Sequence, residues 1–145
     1  MMIQDILTSE RTLLGVPATS KKKVLELVAE QVSEYVPTVN ATELFDALIA
    51  RERLGTTGLG KGVAIPHCRL KSCIEPIGLF FRMEQPVDFD AVDRLPVDLI
   101  FALIVPDGDQ QEHLNLLKAL AERFSDELFV QTLRRAVNAL SLIHI

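Results

Sequence analysis

Residues Gly55 to His67 read GTTGLGKGVAIPH, and the fold turns on whether the glycines and lysine at their centre form a nucleotide loop. From Gly55 the run lies one residue away from the pattern G-x-x-x-x-G-K-[ST], in which backbone amides cradle phosphates and a final hydroxyl holds Mg²⁺. Gly62 stands at the hydroxyl position and has no side chain to offer. The flanking elements are also in the wrong order, since a phosphate loop follows a strand and opens a helix. Upstream, NATELFDALIARERLG predicts a helix from Asn40 to Leu54: Asn40 caps it, Glu43 completes a capping box, and Gly55 stops it. Downstream, Val63 to Ile65 predicts a short strand running into Pro66-His67. Helix, glycines, strand is the reverse order, and it equally excludes a dinucleotide-binding turn. The stretch is therefore either a flexible connector or a phosphate site of another kind.

Working outward, Arg11 to Val16 predicts a first strand, and Ser20 caps a helix whose apolar face is Val24, Leu25, Val28 and Val32. The helix before the glycines presents Leu44 and Leu48, with Phe45 and Ile49 beside them. Ile77 to Met83 and Val97 to Val105 predict two further strands. The second is a nearly unbroken apolar run, as expected of a strand covered on both faces. Asp109 and Glu112 form a second capping box, opening a helix that carries Leu114, Leu117, Leu120 and Ala121, and a final helix begins near Ser125. Helices alternating with buried strands predict an α/β fold, a single-domain sandwich with a mixed central sheet flanked by helices. With no linker, repeat or low-complexity tract, residues 1–145 read as one domain.

A chain of 145 residues, 48% of them hydrophobic, is long enough to bury a sizeable core. Its net charge is −5, with no basic cluster larger than Lys21-Lys22-Lys23, which argues against a nucleic-acid partner. Even LPVDLIFALIVP, the longest apolar stretch, is too short for a membrane span and contains Asp98. No cleavable signal pattern opens the sequence, so a cytoplasmic location without membrane insertion is expected. Cys68 and Cys73 lie five apart without a C-x-x-C pair or clustered carboxylates, and read as free thiols rather than zinc ligands.

The histidines carry the remaining chemistry. His67 follows one predicted strand through Pro66, and His113 lies in the first turn of a helix that follows another. In open α/β sheets, ligand sites gather beyond the carboxyl ends of strands, so two strands pointing the same way would bring both imidazoles together. On periodicity alone His113 reads equally well as an exposed residue of an amphipathic helix. A neutral imidazole is a competent nucleophile near pH 7, and a hydrogen bond at one ring nitrogen decides which other nitrogen attacks. Phosphoryl transfer to such a ring needs mainly positioning and donors around the transferred oxygens. Glycine amides supply some donors, Arg51 a planar cationic fork, and a second histidine a ring N–H.

Arg51-Glu52-x-x-Gly55-x-Thr57-Gly58-x-Gly60-x-Gly62-x-Ala64-Ile65-Pro66-His67, followed by Phe89-Asp90-Ala91, Pro96-Val97-Asp98-Leu99-x-Phe101-x-Leu103-x-Val105-Pro106 and His113-Leu114, resembles the IIA component of the bacterial phosphoenolpyruvate-dependent phosphotransferase system, fructose/mannitol type. Within that type the chain most resembles the nitrogen-regulatory branch, and the likeness runs from about Ile3 to Ala136. The resemblance implies that His67 accepts a phosphoryl group on Nε2 from a small HPr-like phosphocarrier. It places a second active-site histidine, hydrogen-bonded to the phosphate, on His113 and a phosphate-stabilising arginine on Arg51. Thr57, Gly58, Gly60 and Gly62 then form the phosphate-binding loop. No cofactor or metal is implied; regulatory targets such as sensor kinases or potassium transporters are. The alternatives are a sugar-specific IIA passing phosphate to a IIB domain, a binding module without covalent chemistry, and a metal-dependent hydrolase built on His67, His113 and Asp109.

Two departures from the family pattern stand out. Cys68 replaces a common glycine directly after the active histidine, which opens the expectation of thiol oxidation beside the site. Residues 138–145, Asn-Ala-Leu-Ser-Leu-Ile-His-Ile, depart from the family's polar ending and are expected to be a truncated or foreign tail.

Overall fold

The apolar run recognised in the sequence is the central strand of a mixed sheet in a computed structural model, which describes residues 11–108 and 110–138. In chain order the elements are β1 (Thr12–Val16), α1 (Lys21–Tyr35), α2 (Ala41–Leu54), β2 (Gly58–Gly60), β3 (Val63–Ala64), β4 (His67–Leu70), β5 (Ile77–Val87), β6 (Val97–Pro106), α3 (Gln110–Ser125) and α4 (Glu127–Arg135). The sheet order is β1-β5-β6-β3-β2, with β4 also pairing β6. β5 runs antiparallel to β6, β3 and β4 run parallel to it, and β1 is parallel to β5 at one edge. The fold class read from the sequence is the one observed.

Strand alternation divides the core in two. Ile100, Ala102 and Ile104 face α1 and α2, meeting Val24, Leu25, Val28, Val32, Leu44 and Leu48. Leu99, Phe101, Leu103 and Val105 face α3 and α4, meeting Leu116, Leu120, Phe124, Val130 and Leu133. Val24, Val28 and Val32 are fully buried. Burying such a side chain stabilises the fold by roughly 1.5–3 kcal/mol, so these helix stripes hold both layers on the sheet. The first two helices start as their sequences dictate, Ser20 accepting from Lys23 N–H at 3.1 Å and Asn40 from Glu43 N–H at 3.0 Å. Arg82 of β5 reaches across to donate to the carbonyls of Leu133, Arg134 and Ala136, closing the end of α4.

Some expected boundaries need correction. The strand expected over Val63 to Ile65 ends at Ala64, β2 forms within the glycine run, and β4 forms over residues to which the sequence reading assigned no element. β5 continues past Met83 to Val87. The last helix starts at Glu127 under an Asp126 cap, while Ser125 closes α3. On α3 the buried face is His113, Leu116, Leu120 and Phe124; Leu114 is 57% exposed and Ala121 only half-buried. The expected face was thus rotated by a fraction of a turn, because a histidine occupies a core-facing position that hydrophobicity alone assigns to solvent. The Asp109 half of the capping box, His144, and all of the tail beyond Asn138 lie outside the described residues. Among the described residues no helix is long and apolar enough to cross a membrane.

Candidate functional site

β3 and β4 lie in one line along β6. Ala64 pairs with Ile100 and His67 with Leu103, so three residues advance on each side and the register is kept. Between them the ladder opens at Ile65-Pro66, because proline has no N–H to donate. Leu103 N–H still donates to the Pro66 carbonyl at 2.9 Å, and Ile65 N–H turns outward to the Thr57 carbonyl at 3.0 Å. The Ile65 carbonyl is left to face the imidazole of His67, 2.8 Å from Nδ1.

That hydrogen bond fixes the chemistry of the ring. A carbonyl only accepts, so Nδ1 carries the hydrogen and Nε2 carries the lone pair. Nε2 in turn accepts from Arg51 Nε at 3.2 Å. Arg51 comes from the last turns of α2, on the opposite face of the sheet, and reaches His67 round β4, which among the described residues pairs only with β6. Its guanidinium also donates to the Gly55 carbonyl at 3.0 Å, so the glycine that stops α2 anchors the arginine.

His113 arrives from the other side. By strand parity His67 faces the α3 layer, and the first turn of α3 lays the His113 ring edge-on against it, with centroids 5.6 Å apart. His113 Nδ1 accepts from Arg69 Nε at 3.0 Å, while its buried Nε2 has no hydrogen-bond partner among the described residues. The structure therefore brings His67, His113 and Arg51 together. His67 begins β4 opposite the middle of β6, so the meeting point is a break inside the sheet rather than the end-of-strand crevice expected from the fold class.

The electrostatics favour neutral rings. Burial holds His67 below its ordinary value of 6.5; the Ile65 hydrogen bond opposes this, Arg51 adds to it, and Glu52 opposes it. His113 is brought down to about 4 by burial first, then by His67, Arg69 and Arg51. An imidazole that stays neutral keeps one lone pair and one donor, as phosphoryl acceptance requires.

The glycine stretch does less at His67 than the sequence implied. Thr57 N–H is taken by the Glu52 carboxylate at 3.1 Å, and the Thr57 hydroxyl makes a short hydrogen bond to the same group. Gly58 N–H is taken by Thr56 Oγ1 at 3.0 Å. Gly60 lies against Asp93, and Gly62 against Arg134 and Asp98. The amides of Thr57 and Gly58 thus hold the loop itself instead of facing the imidazole. Glu52, whose side chain is only 7% exposed, ties the loop to α1 through Lys21 at 2.6 Å.

Two further residues matter. Arg69 escaped the sequence reading because β4 was not recognised as a strand; once it is, the period of two places His67 and Arg69 on one face. Cys68 points the other way, into the core under α1 and α2, where burial and Cys73 push its thiol up to about 12. The expected oxidation beside the site is thereby corrected: a buried, protonated thiol is unreactive. Among the described residues no group of three or more histidines, cysteines or carboxylates is placed to hold a metal ion, and Asp109 lies outside those residues.

Comparison with known proteins identifies the family and the fold. The family model for the phosphoenolpyruvate-dependent sugar phosphotransferase system, EIIA 2, matches residues 5–145. A nitrogen regulatory protein from Pseudomonas aeruginosa is 46% identical over 143 residues, covering 99% of this chain and 93% of the relative. The crystal structure of nitrogen regulatory protein IIA-Ntr from Neisseria meningitidis superposes with a TM-score of 0.92 at 38% identity, over 98% of this chain and 97% of that one. The mannitol IIA from Escherichia coli shares the fold, with a TM-score of 0.79 at 20% identity over 95% of this chain and 96% of its own. A His-bearing break in a mixed sheet, the family match along nearly the whole chain and these relatives converge on one conclusion: the chain belongs to the EIIA 2 family of the phosphoenolpyruvate-dependent sugar phosphotransferase system.

Proposed function

We propose that this chain is a phosphorelay protein: His67 accepts a phosphoryl group from an HPr-like phosphocarrier, and the phosphorylation state regulates partner proteins. The observation that carries the reading is the arrangement around one atom. The Ile65 carbonyl accepts a hydrogen bond from His67 Nδ1–H, leaving the Nε2 lone pair beside Arg51, and the His113 ring, whose Nε2 has no partner among the described residues, lies 5.6 Å away between centroids. In the proposed step, His67 Nε2 attacks the phosphorus of the carrier's phosphohistidine. The new N–P bond forms as the old one breaks, and the carrier's imidazole leaves with the electron pair. Arg51 and His113 donate to the transferred oxygens, while Nδ1–H stays on Ile65. Catalysis is then positioning and charge stabilisation, which is what phosphoryl transfer demands. Leu54, ending the helix that carries Arg51, and Leu114, next to His113, are 84% and 57% exposed and give a partner apolar surface beside these charged groups.

The nitrogen-regulatory names of the relatives support a regulatory output. Phosphorylation adds about −1.5 to −2 charges by analogy with other phospho-residues, so a partner that seals over neutral His67 would have to bury an extra dianion. Incubation with phosphoenolpyruvate, the first enzyme of the system and its carrier is expected to add one acid-labile phosphoryl group, read by mass spectrometry. His67→Ala is expected to add none; full labelling of that variant overturns the assignment. Affinity capture with both forms tests the regulatory half, which fails if every captured partner binds the two forms equally. Efficient onward transfer to a IIB domain and then to sugar would move the reading to sugar transport.

A further inference from the structure

We infer that Arg69 is a positioning residue: it locks His113 in the Nε2–H tautomer and thereby aims that N–H at the phosphoryl group carried by His67. This rests on the phosphorelay reading, but the observations behind it are separate from those that identify His67.

Arg69 Nε lies 3.0 Å from His113 Nδ1, and a guanidinium donates hydrogen bonds without being able to accept one. His113 Nδ1 must then offer its lone pair. A neutral imidazole has a single N–H, which leaves it on Nε2, the buried atom without a partner among the described residues. Leaving a buried donor unpaired costs about 1–3 kcal/mol, so the arrangement has a reason in whatever that donor meets. The neighbouring ring is that of His67, T-shaped to it with centroids 5.6 Å apart. A carbonyl in place of Arg69 would select the opposite tautomer and present a lone pair to the phosphoryl oxygens, which would repel them.

Position explains why Arg69 is able to do this. It stands two residues beyond His67 on β4, on the same face, opposite Val105 near the end of β6 from which the chain passes to α3. Acceptor and positioning residue therefore share β4, while the donor they both address comes from α3, the element that follows β6. Three groups flank His113 and oppose a second proton on it: His67 and Arg69 from β4, and Arg51 from α2. Burial contributes most to keeping the ring neutral, and these three neighbours add to it, so that what would reach the phosphate is a neutral ring acting as donor.

The test uses nitrogen-detected NMR of the imidazoles in the full chain, together with single-turnover transfer from phosphorylated carrier. In the wild type, His113 is expected to stay neutral with its hydrogen on Nε2 from about pH 5.5 to 8. Arg69→Met, which keeps the aliphatic stem, is expected to give mixed tautomers and a higher pKa, and to slow transfer about tenfold; Arg69→Lys, which restores a donor, is expected to recover part of both. In a His113→Ala background Arg69→Met is expected to cost less than about twofold, because a residue acting through His113 has nothing left to position. An unchanged His113 tautomer in Arg69→Met overturns the inference, as does an undiminished tenfold loss without His113, which would make Arg69 a direct phosphate ligand. If the wild-type chain takes up no phosphoryl group at all, the relay reading fails, and the NMR comparison alone decides whether Arg69 holds the ring.

Discussion

His67 and His113 meet edge to face, their planes 74° apart, and hold their hydrogens on opposite nitrogens. A main-chain carbonyl reads one ring and a guanidinium the other, so identical side chains are left with a lone pair on Nε2 of His67 and an N–H on Nε2 of His113. The difference between them is set by the partner at Nδ1, reinforced at His67 by Arg51 donating to Nε2.

Removing the donor is expected to slow transfer without abolishing it. A hydrogen bond to a charged group is worth roughly 1.5–3 kcal/mol, so His113→Ala is expected to lose on the order of tenfold to over a hundredfold in rate. His113→Gln, which retains an N–H donor, is expected to keep more activity. Because Arg51 faces the same transferred group, Arg51→Ala combined with His113→Ala is expected to depart from additivity. Rates against one carrier, with melting temperatures recorded alongside, check this; wild-type rates in well-folded His113→Ala would remove His113 from the site.

The pH profile of transfer follows from His67. Its pKa is lowered from 6.5, chiefly by burial, so Nε2 remains unprotonated through neutral pH. The transfer rate is expected to stay flat from about pH 8 down to 6.5 and to fall only below that. Measurement with a carrier already phosphorylated, its own stability to acid controlled for, decides the point; a half-loss above pH 6.5 contradicts the buried environment.

Stability is expected to move with pH in the same direction through His113. Its folded value is about 4, below the ordinary 6.5, so the unfolded chain binds the extra proton between these limits. His113 therefore contributes no loss above pH 6.5, and stability falls as pH drops from 6.5 towards 4. The loss attributable to this ring is on the order of 2 to 3 kcal/mol. Urea unfolding at pH 7.5 and 4.5 should show a larger drop in wild type than in His113→Gln, where carboxylates still titrate but this imidazole is gone. Equal drops would mean that His113 is not held neutral by the fold.

The sequence carried the architecture well where periodicity was long. β6 was visible as an unbroken apolar run, and α1 and α2 through Ser20, Asn40 and their spaced leucines and valines. It failed where elements were too short for a period to register: β2 has three residues and β4 four. That failure hid Arg69, whose alignment with His67 exists only if residues 67 to 70 are extended. His67, Arg51 and His113 were legible through the family likeness, and the structure supplies what a string of letters lacks, namely which ring nitrogen each neighbour occupies. The glycines have a packing role that the letters do not display: at Gly58 and Gly62 the missing Cβ makes room for Ala91, Arg134 and Asp98.

Gly58→Ala tests that last point. An added methyl carbon would lie 2.9 Å from both Cα and Cβ of Ala91, and one of those atoms is backbone that has little freedom to retreat. A cost of about 1–3 kcal/mol in urea unfolding is expected, as for other overpacked positions. Ala91→Gly in the same chain is expected to recover only part of it, since the main chain at position 91 still crowds the new methyl. A Gly58→Ala variant as stable as wild type would show that the Phe89-Asp90-Ala91 segment shifts easily and that the loop is less firmly held than its hydrogen bonds imply.

The opened ladder at Ile65-Pro66 bears on how the acceptor could be moved to another protein. Side chains can be transplanted one at a time, but the group that orients His67 is a peptide carbonyl, present whatever residue stands at position 65. No point substitution there deletes it, and no grafted trio of His67, Arg51 and His113 brings it along. A scaffold that received only those three side chains would leave the acceptor ring free to choose its tautomer; one that also copied the two-residue gap between β3 and β4, with Pro66 in it, would inherit the choice already made.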